Sequence, residues 1–136
     1  MTVPRRGFLI AAGAALALPR APGIAATPRV TGATMYGLIG KITAVEGQRD
    51  SLAAILLAGT DAMPGCLSYV VATDPADPNG LWVTEVWDSQ ESHRASLTLP
   101  AVKEAISKGR PLIAGFTNRT ETVPLGGFGL ARPRSD

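Results

Sequence analysis

Hydrophobic and polar positions along the chain alternate between the two periods that mark strands and helices. Residues 35–44 (MYGLIGKITA) are mostly apolar and β-compatible, and read as a first strand that Glu46-Gly47 end. From residue 48 to about 62, Leu52, Ile55, Leu56 and Gly59 recur at i, i+3, i+4 and i+7, one face of a helix. Asp50 in its first turn suits the helix dipole. Met63-Pro64-Gly65 turns the chain into a second strand, residues 66–73 (CLSYVVAT). The run Asp74-Pro75-Ala76-Asp77-Pro78-Asn79-Gly80 has the chemistry of a hairpin loop longer than the tightest type, and residues 81–87 form the third strand. Asp88, with Glu91 three positions on, matches a capping box; Ser89 is the alternative cap. Pro100 suits the first position of a second helical piece, with Val102, Ala105 and Ile106 as its apolar face and Lys108-Gly109 as its end. Pro111 leads into a fourth strand, residues 112 to about 123.

The order β-α-β-β-α-β predicts an α+β, ferredoxin-like fold with an antiparallel four-stranded sheet. Two helices cover one face of such a sheet. Tyr69, Val71, Leu81 and Val83 are more apolar surface than two short helices hide, so the sheet predicts a homodimer with the sheets facing each other. The folded domain spans residues 34–123. Residues 124–136 read as an irregular tail, whose Gly126-Gly127-Phe128-Gly129 is no dinucleotide fingerprint because no βαβ unit follows it.

A chain of 136 residues has room for one domain with a real core. Its pI near 9.0 points towards anionic partners until the charges are located. Arg5, Arg6 and Arg20 lie in the first 26 residues with no acid; beyond them ten Lys/Arg face eleven Asp/Glu. No basic block remains to follow a phosphate backbone, which argues against nucleic acid. Residues 1–26 read as a signal peptide: Arg5-Arg6, an apolar run to Leu18, Pro19, then Gly23-Ile24-Ala25-Ala26 as a cleavage region. That run falls short of the roughly 20 residues a bilayer span needs, and no second apolar segment predicts an integral membrane domain after cleavage. The paired arginines before Phe8-Leu9 resemble a twin-arginine signal, implying a periplasmic or otherwise exported protein. Cys66 is the only cysteine, so no internal disulfide forms, and its place in a strand fits a small buried hydrophobe.

The chemistry-bearing residues concentrate between residues 81 and 106, which hold both tryptophans and the only histidine. Period-two alternation puts Leu81, Val83, Glu85 and Trp87 on one face of the third strand, and Trp82, Thr84 and Val86 on the other. A carboxylate beside an indole on an apolar face is a candidate base for a phenol proton, since desolvation would raise its pKa. The competing readings are structural. Glu85 pairs with Arg119 or Lys41; Trp82 and Trp87 fill a core or an interface; His93, between Ser92 and Arg94, faces solvent or serves as a local hydrogen-bond partner. Tyr36 and Tyr69 offer pocket hydroxyls or simply bury their rings, and Asn118 is a polar candidate on the fourth strand. One His and one Cys make no dedicated His/Cys metal cluster, and neither a phosphate-binding Gly-Lys-Ser/Thr loop nor a Gly-x-Ser-x-Gly elbow occurs.

The strand ending Glu85-Val86-Trp87, the helix start Asp88-Ser89-Gln90-Glu91 and the segment Leu99-Pro100-Ala101-Val102 resemble the antibiotic biosynthesis monooxygenase domain family, which includes quinol monooxygenase-like proteins. The likeness runs over roughly residues 35–123. It implies a dimeric α+β barrel that oxidises a small aromatic or quinol substrate with O₂, using no metal, flavin or other cofactor. By that resemblance Glu85 and Trp87 match the motif's acid and tryptophan. With His93 they are the expected catalytic residues, and Tyr36, Tyr69 and Asn118 the expected substrate-binding ones. In the family pattern a His lies four residues before the helix proline, where this chain has Ser96; His93 is three residues earlier. Related members bind and degrade haem, but Gly40 stands where those relatives place an Asn. Two alternatives stay open: a non-catalytic dimer that binds a small hydrophobic ligand, and a haem-binding or haem-degrading protein.

Overall fold

The structure, a computed structural model, describes residues 34–131. The expected signal peptide over residues 1–26 lies outside the described residues, as do the last five residues of the tail. Within them run β1 (Tyr36–Ala44), α1 (Arg49–Gly59), β2 (Cys66–Thr73), β3 (Gly80–Trp87), α2 (Gln90–Ser96), α3 (Pro100–Gly109), a 3-10 turn (Arg110–Leu112) and β4 (Ile113–Thr122). The strands form one antiparallel sheet in the order β2-β3-β1-β4, the ferredoxin-like arrangement expected from the pattern. Among the described residues no helix is long and apolar enough to cross a membrane.

Local chemistry accounts for the element ends. Gly47 (φ +77°) takes the left-handed turn before α1, a conformation open to glycine without steric cost. The cap of α2 is Ser89 rather than Asp88: the Ser89 hydroxyl accepts from the Ser92 backbone N–H at 3.1 Å, while Asp88 spends its own N–H on the Gly65 carbonyl. Pro100 opens α3, as expected, where its missing N–H costs nothing. At the end of α1, a Cβ on Gly59 would overlap the Ala105 methyl of α3, so the glycine sets how closely the two helices approach.

Strand alternation divides the sheet into two unlike faces. The side under the helices carries Leu38, Leu81, Glu85, Trp87 and Tyr69. Leu52 of α1 seals against Ala44 and Leu81, with Leu56, Val71 and Leu112 around them. A second cluster joins Tyr36, Leu38 and Trp87, with Met63 and Cys66 against it. Leu81, Val83, Tyr69 and Val71 therefore all face the helices and are not the surplus that requires a partner. The open face instead carries Ile39, Val70, Trp82 and Val86, of which Ile39 and Val70 are exposed. Residues 124–131 form neither helix nor strand, and the Ala131 N–H reaches back to the Leu67 carbonyl at 3.1 Å.

Candidate active site

The two apolar clusters do not merge. Between them, under α1 and α3, lies a hollow of about 580 Å³, well within the roughly 300–1,000 Å³ range of small-molecule sites. Its walls come from both clusters: Ile42, Leu56 and Ile113 at one end, Met63 and Trp87 at the other. Leu97, Ile106 and Phe116 line it too and are exposed, so they mark its mouth. Trp87 is 1% exposed and marks its closed end.

Glu85, Trp87 and His93 meet at that closed end. Two residues apart on β3, Glu85 and Trp87 share a face, and the indole Nε1–H donates to Glu85 Oε2 at 2.8 Å. A hydrogen bond to a carboxylate is worth about 1.5–3 kcal/mol and fixes which way the carboxylate points. His93 enters from α2. Its ring lies 5.4 Å from Trp87, edge to face, and 5.3 Å from Tyr36, tilted by 43°. Its Nε2 stands 3.8 Å from Glu85 Oε2, too far for a direct hydrogen bond but close enough for one substrate oxygen to touch both. Glu85 Oε1 has no protein partner among the described residues, and since no fully buried side-chain oxygen is left unsatisfied, Oε1 keeps some accessible surface on a residue that lines the hollow.

For Glu85 and His93 the structural alternatives give way to this geometry, whereas Trp87 does pack in the core, with Tyr36 and Leu38, as one of its readings expects. Lys41 bonds Asp74 and Asp77, each at 2.9 Å, and Arg119 makes no ion pair among the described residues, so neither neutralises Glu85. His93 does not face solvent. Ser89 starts α2 immediately after β3, and that phase turns residue 93 inward. Trp82 is on the open face and donates to Asp74 Oδ2 at 3.1 Å, outside the site.

Tyr69 lines the hollow opposite Glu85 in the sheet, and Tyr36 stands behind His93 with its hydroxyl donating to Glu121 Oε1 at 2.8 Å. Burial pushes the Tyr69 phenol upward, with the Glu85 charge adding to it; burial and the Glu121 bond push Tyr36 the same way. Both phenols stay protonated at neutral pH, and the Tyr36 hydroxyl is committed to Glu121 outside the lining of the hollow. Asn118 is not brought into the site. It is exposed, in the left-handed region (φ 53°), within the irregularity where β4 slips against β1 between Ile39 and Lys41. Ser96, at the family's usual histidine position, also lines the hollow, but its hydroxyl is bound to the His93 carbonyl at 2.6 Å. Sequence reasoning missed Arg110 and Met63 as lining residues; nothing in their neighbours sets either apart. Among the described residues no three His, Cys, Asp or Glu side chains gather as a metal ligand set.

A family model for antibiotic biosynthesis monooxygenase matches residues 35–108. No curated protein matches the chain significantly. Among solved structures, a candidate antibiotic biosynthesis monooxygenase from Chloroflexus aurantiacus J-10-fl is 63% identical; the match covers 72% of this chain and 100% of that one, with a TM-score of 0.71. A counterpart from Caulobacter crescentus CB15 is 16% identical over 69% of this chain and 92% of its own, with a TM-score of 0.63. One from Bacteroides thetaiotaomicron VPI-5482 is 13% identical over 70% and 93%, with a TM-score of 0.62. The last two speak to the fold alone.

Proposed function

Since this chain belongs to the antibiotic biosynthesis monooxygenase family, we propose that it oxidises a small phenolic or quinol-like aromatic with O₂, without metal, flavin or other cofactor. The observation that carries this reading is the closed end of the hollow, where Glu85, His93 and Trp87 meet beneath apolar walls. Glu85 Oε1 takes the phenol proton, and His93, across the same oxygen, holds the resulting phenolate. The ring then becomes electron-rich enough to reduce O₂. For a phenol with a free ring position, one oxygen atom enters that carbon and the other leaves as water. The four electrons come from the substrate, which departs as a quinone. Trp87 closes the end of the hollow against water, and its N–H keeps Glu85 in place.

Oxygen uptake by the purified protein with a panel of hydroquinones and naphthols tests this. Glu85→Gln should lower turnover about 100-fold or more, the usual contribution of a positioned base. Turnover unchanged by Glu85→Gln, or dependent on added haem or metal, would refute the mechanism.

Two further features belong to the same reading. The protein acts as a homodimer, supported by a sheet with helices on one side only and exposed Ile39 and Val70 on the other. It is exported by the twin-arginine route, supported by Arg5-Arg6 and the short apolar run that follows. Replacing the pair by Lys-Lys should abolish export; unchanged location of the protein would rule that route out.

A further inference from the structure

The hollow is chemically two-ended. Among the described residues, its ionisable lining side chains besides Tyr69 are Glu85 and His93 at one end and Arg110 at the other. In the sheet Glu85 lies opposite Leu38. Arg110 sits just beyond α3, next to the strand end where Ile113 pairs with Ala44. Ile42, which lines the arginine end, is four residues along β1 from Leu38, roughly 13 Å of strand. Apolar side chains, Leu56, Val102 and Ile106 among them, line the hollow between the two ends. Among the described residues Arg110 is the only Lys or Arg lining the hollow; it is exposed near its mouth and makes no ion pair with any of them.

From this arrangement we propose that Arg110 is a specificity-determining residue, which receives an anionic group, a carboxylate, at the far end of an aromatic substrate whose phenol faces Glu85. The inference rests on the reading of the hollow as an aromatic-binding site and adds the substrate's second polar end. Charge alone sets the orientation. A carboxylate directed towards Glu85 is repelled in a poorly screened enclosure, whereas the guanidinium at the mouth offers a fork of donors matched to two carboxylate oxygens. The phenol therefore arrives first and the acid last. A neutral phenol has no such preference and enters either way round.

The test uses the purified protein and a matched pair of probes, 2-naphthol and 6-hydroxy-2-naphthoate, with affinities measured by calorimetry. The naphthoate should bind roughly tenfold more tightly than 2-naphthol, the low end for a charge-assisted bond near the surface. That advantage should shrink between about 0.05 M and about 0.5 M salt. Arg110→Gln should erase it, bringing the two affinities together. Equal affinities in the unaltered protein, with 2-naphthol bound, would overturn the role of Arg110 and leave the aromatic site standing. An advantage that persists in Arg110→Gln would overturn it as well, by showing that another group holds the acid. If neither probe binds, the aromatic site falls together with the inference built on it.

Discussion

Lys41 is the residue whose environment departs furthest from what its position on a strand suggests. Its ammonium lies between Asp74 and Asp77, tying the loop before β3 to the middle of the sheet, and Trp82 donates to the same Asp74. The Lys41 hydrogen bond holds the Asp74 carboxyl down at about 2, against an ordinary 3.8, and lowers Asp77 in the same direction. A folded-state pKa below the unfolded one gives stability that is complete above about pH 4 and lost as the pH falls towards 2. Asp74→Asn should therefore flatten the fall in melting temperature across that window, which thermal denaturation at stepped pH measures; an unaltered acid limb would deny the pair its role. Legibility at this scale follows the kind of regularity involved. Glu85 and Trp87 were readable as neighbours because alternation along a strand is strict. The inward turn of His93 was not, because it depends on how α2 is phased against β3 and Tyr36, which alternation along the chain does not specify. Asn118 misled because a strand register hides its own irregularities: the slip between Ile39 and Lys41 removes it from the alternation its number predicts.

Elements follow the same logic with different outcomes. All four strands and the α1 and α3 helices were legible, since apolar periodicity and Pro100 act locally. The divided second helical segment was legible as a break but not in its capping, where Ser89 and Asp88 are chemically equivalent candidates. Ser89 takes the role, its hydroxyl accepting from the Ser92 N–H, while the Asp88 N–H bonds to the carbonyl of Gly65, more than twenty positions away. The approach of α1 to α3 was hidden for a similar reason. Gly59 reads as one member of an apolar face, yet its value lies in the missing side chain, which lets Ala105 come close. That contact roofs the hollow, to which Gly59 and Ala105 both contribute. Apolar patterning predicts which faces are buried. It does not predict that two clusters, one around Leu52 and one around Trp87, stop short of each other and leave space between them.

For the molecule as a whole, the sheet has one side closed by helices and one side open. Ile39, Val70, Trp82 and Val86 on the open side would be poorly used in a monomer. Light scattering at micromolar concentration should find a dimer, and Val70→Lys should shift it to monomer by placing a charge in the apolar contact. A monomeric parent protein would remove the dimer. The proposed chemistry resides in the hollow, and the chain supplies its own reporter there: His93, its only histidine, lines the closed end. The imidazole C–H resonances should shift saturably as 1,4-naphthohydroquinone is added without oxygen, because a ring seated against Glu85 lies beside them. Resonances that stay still at saturating naphthohydroquinone would contradict the assignment of this hollow as the active site.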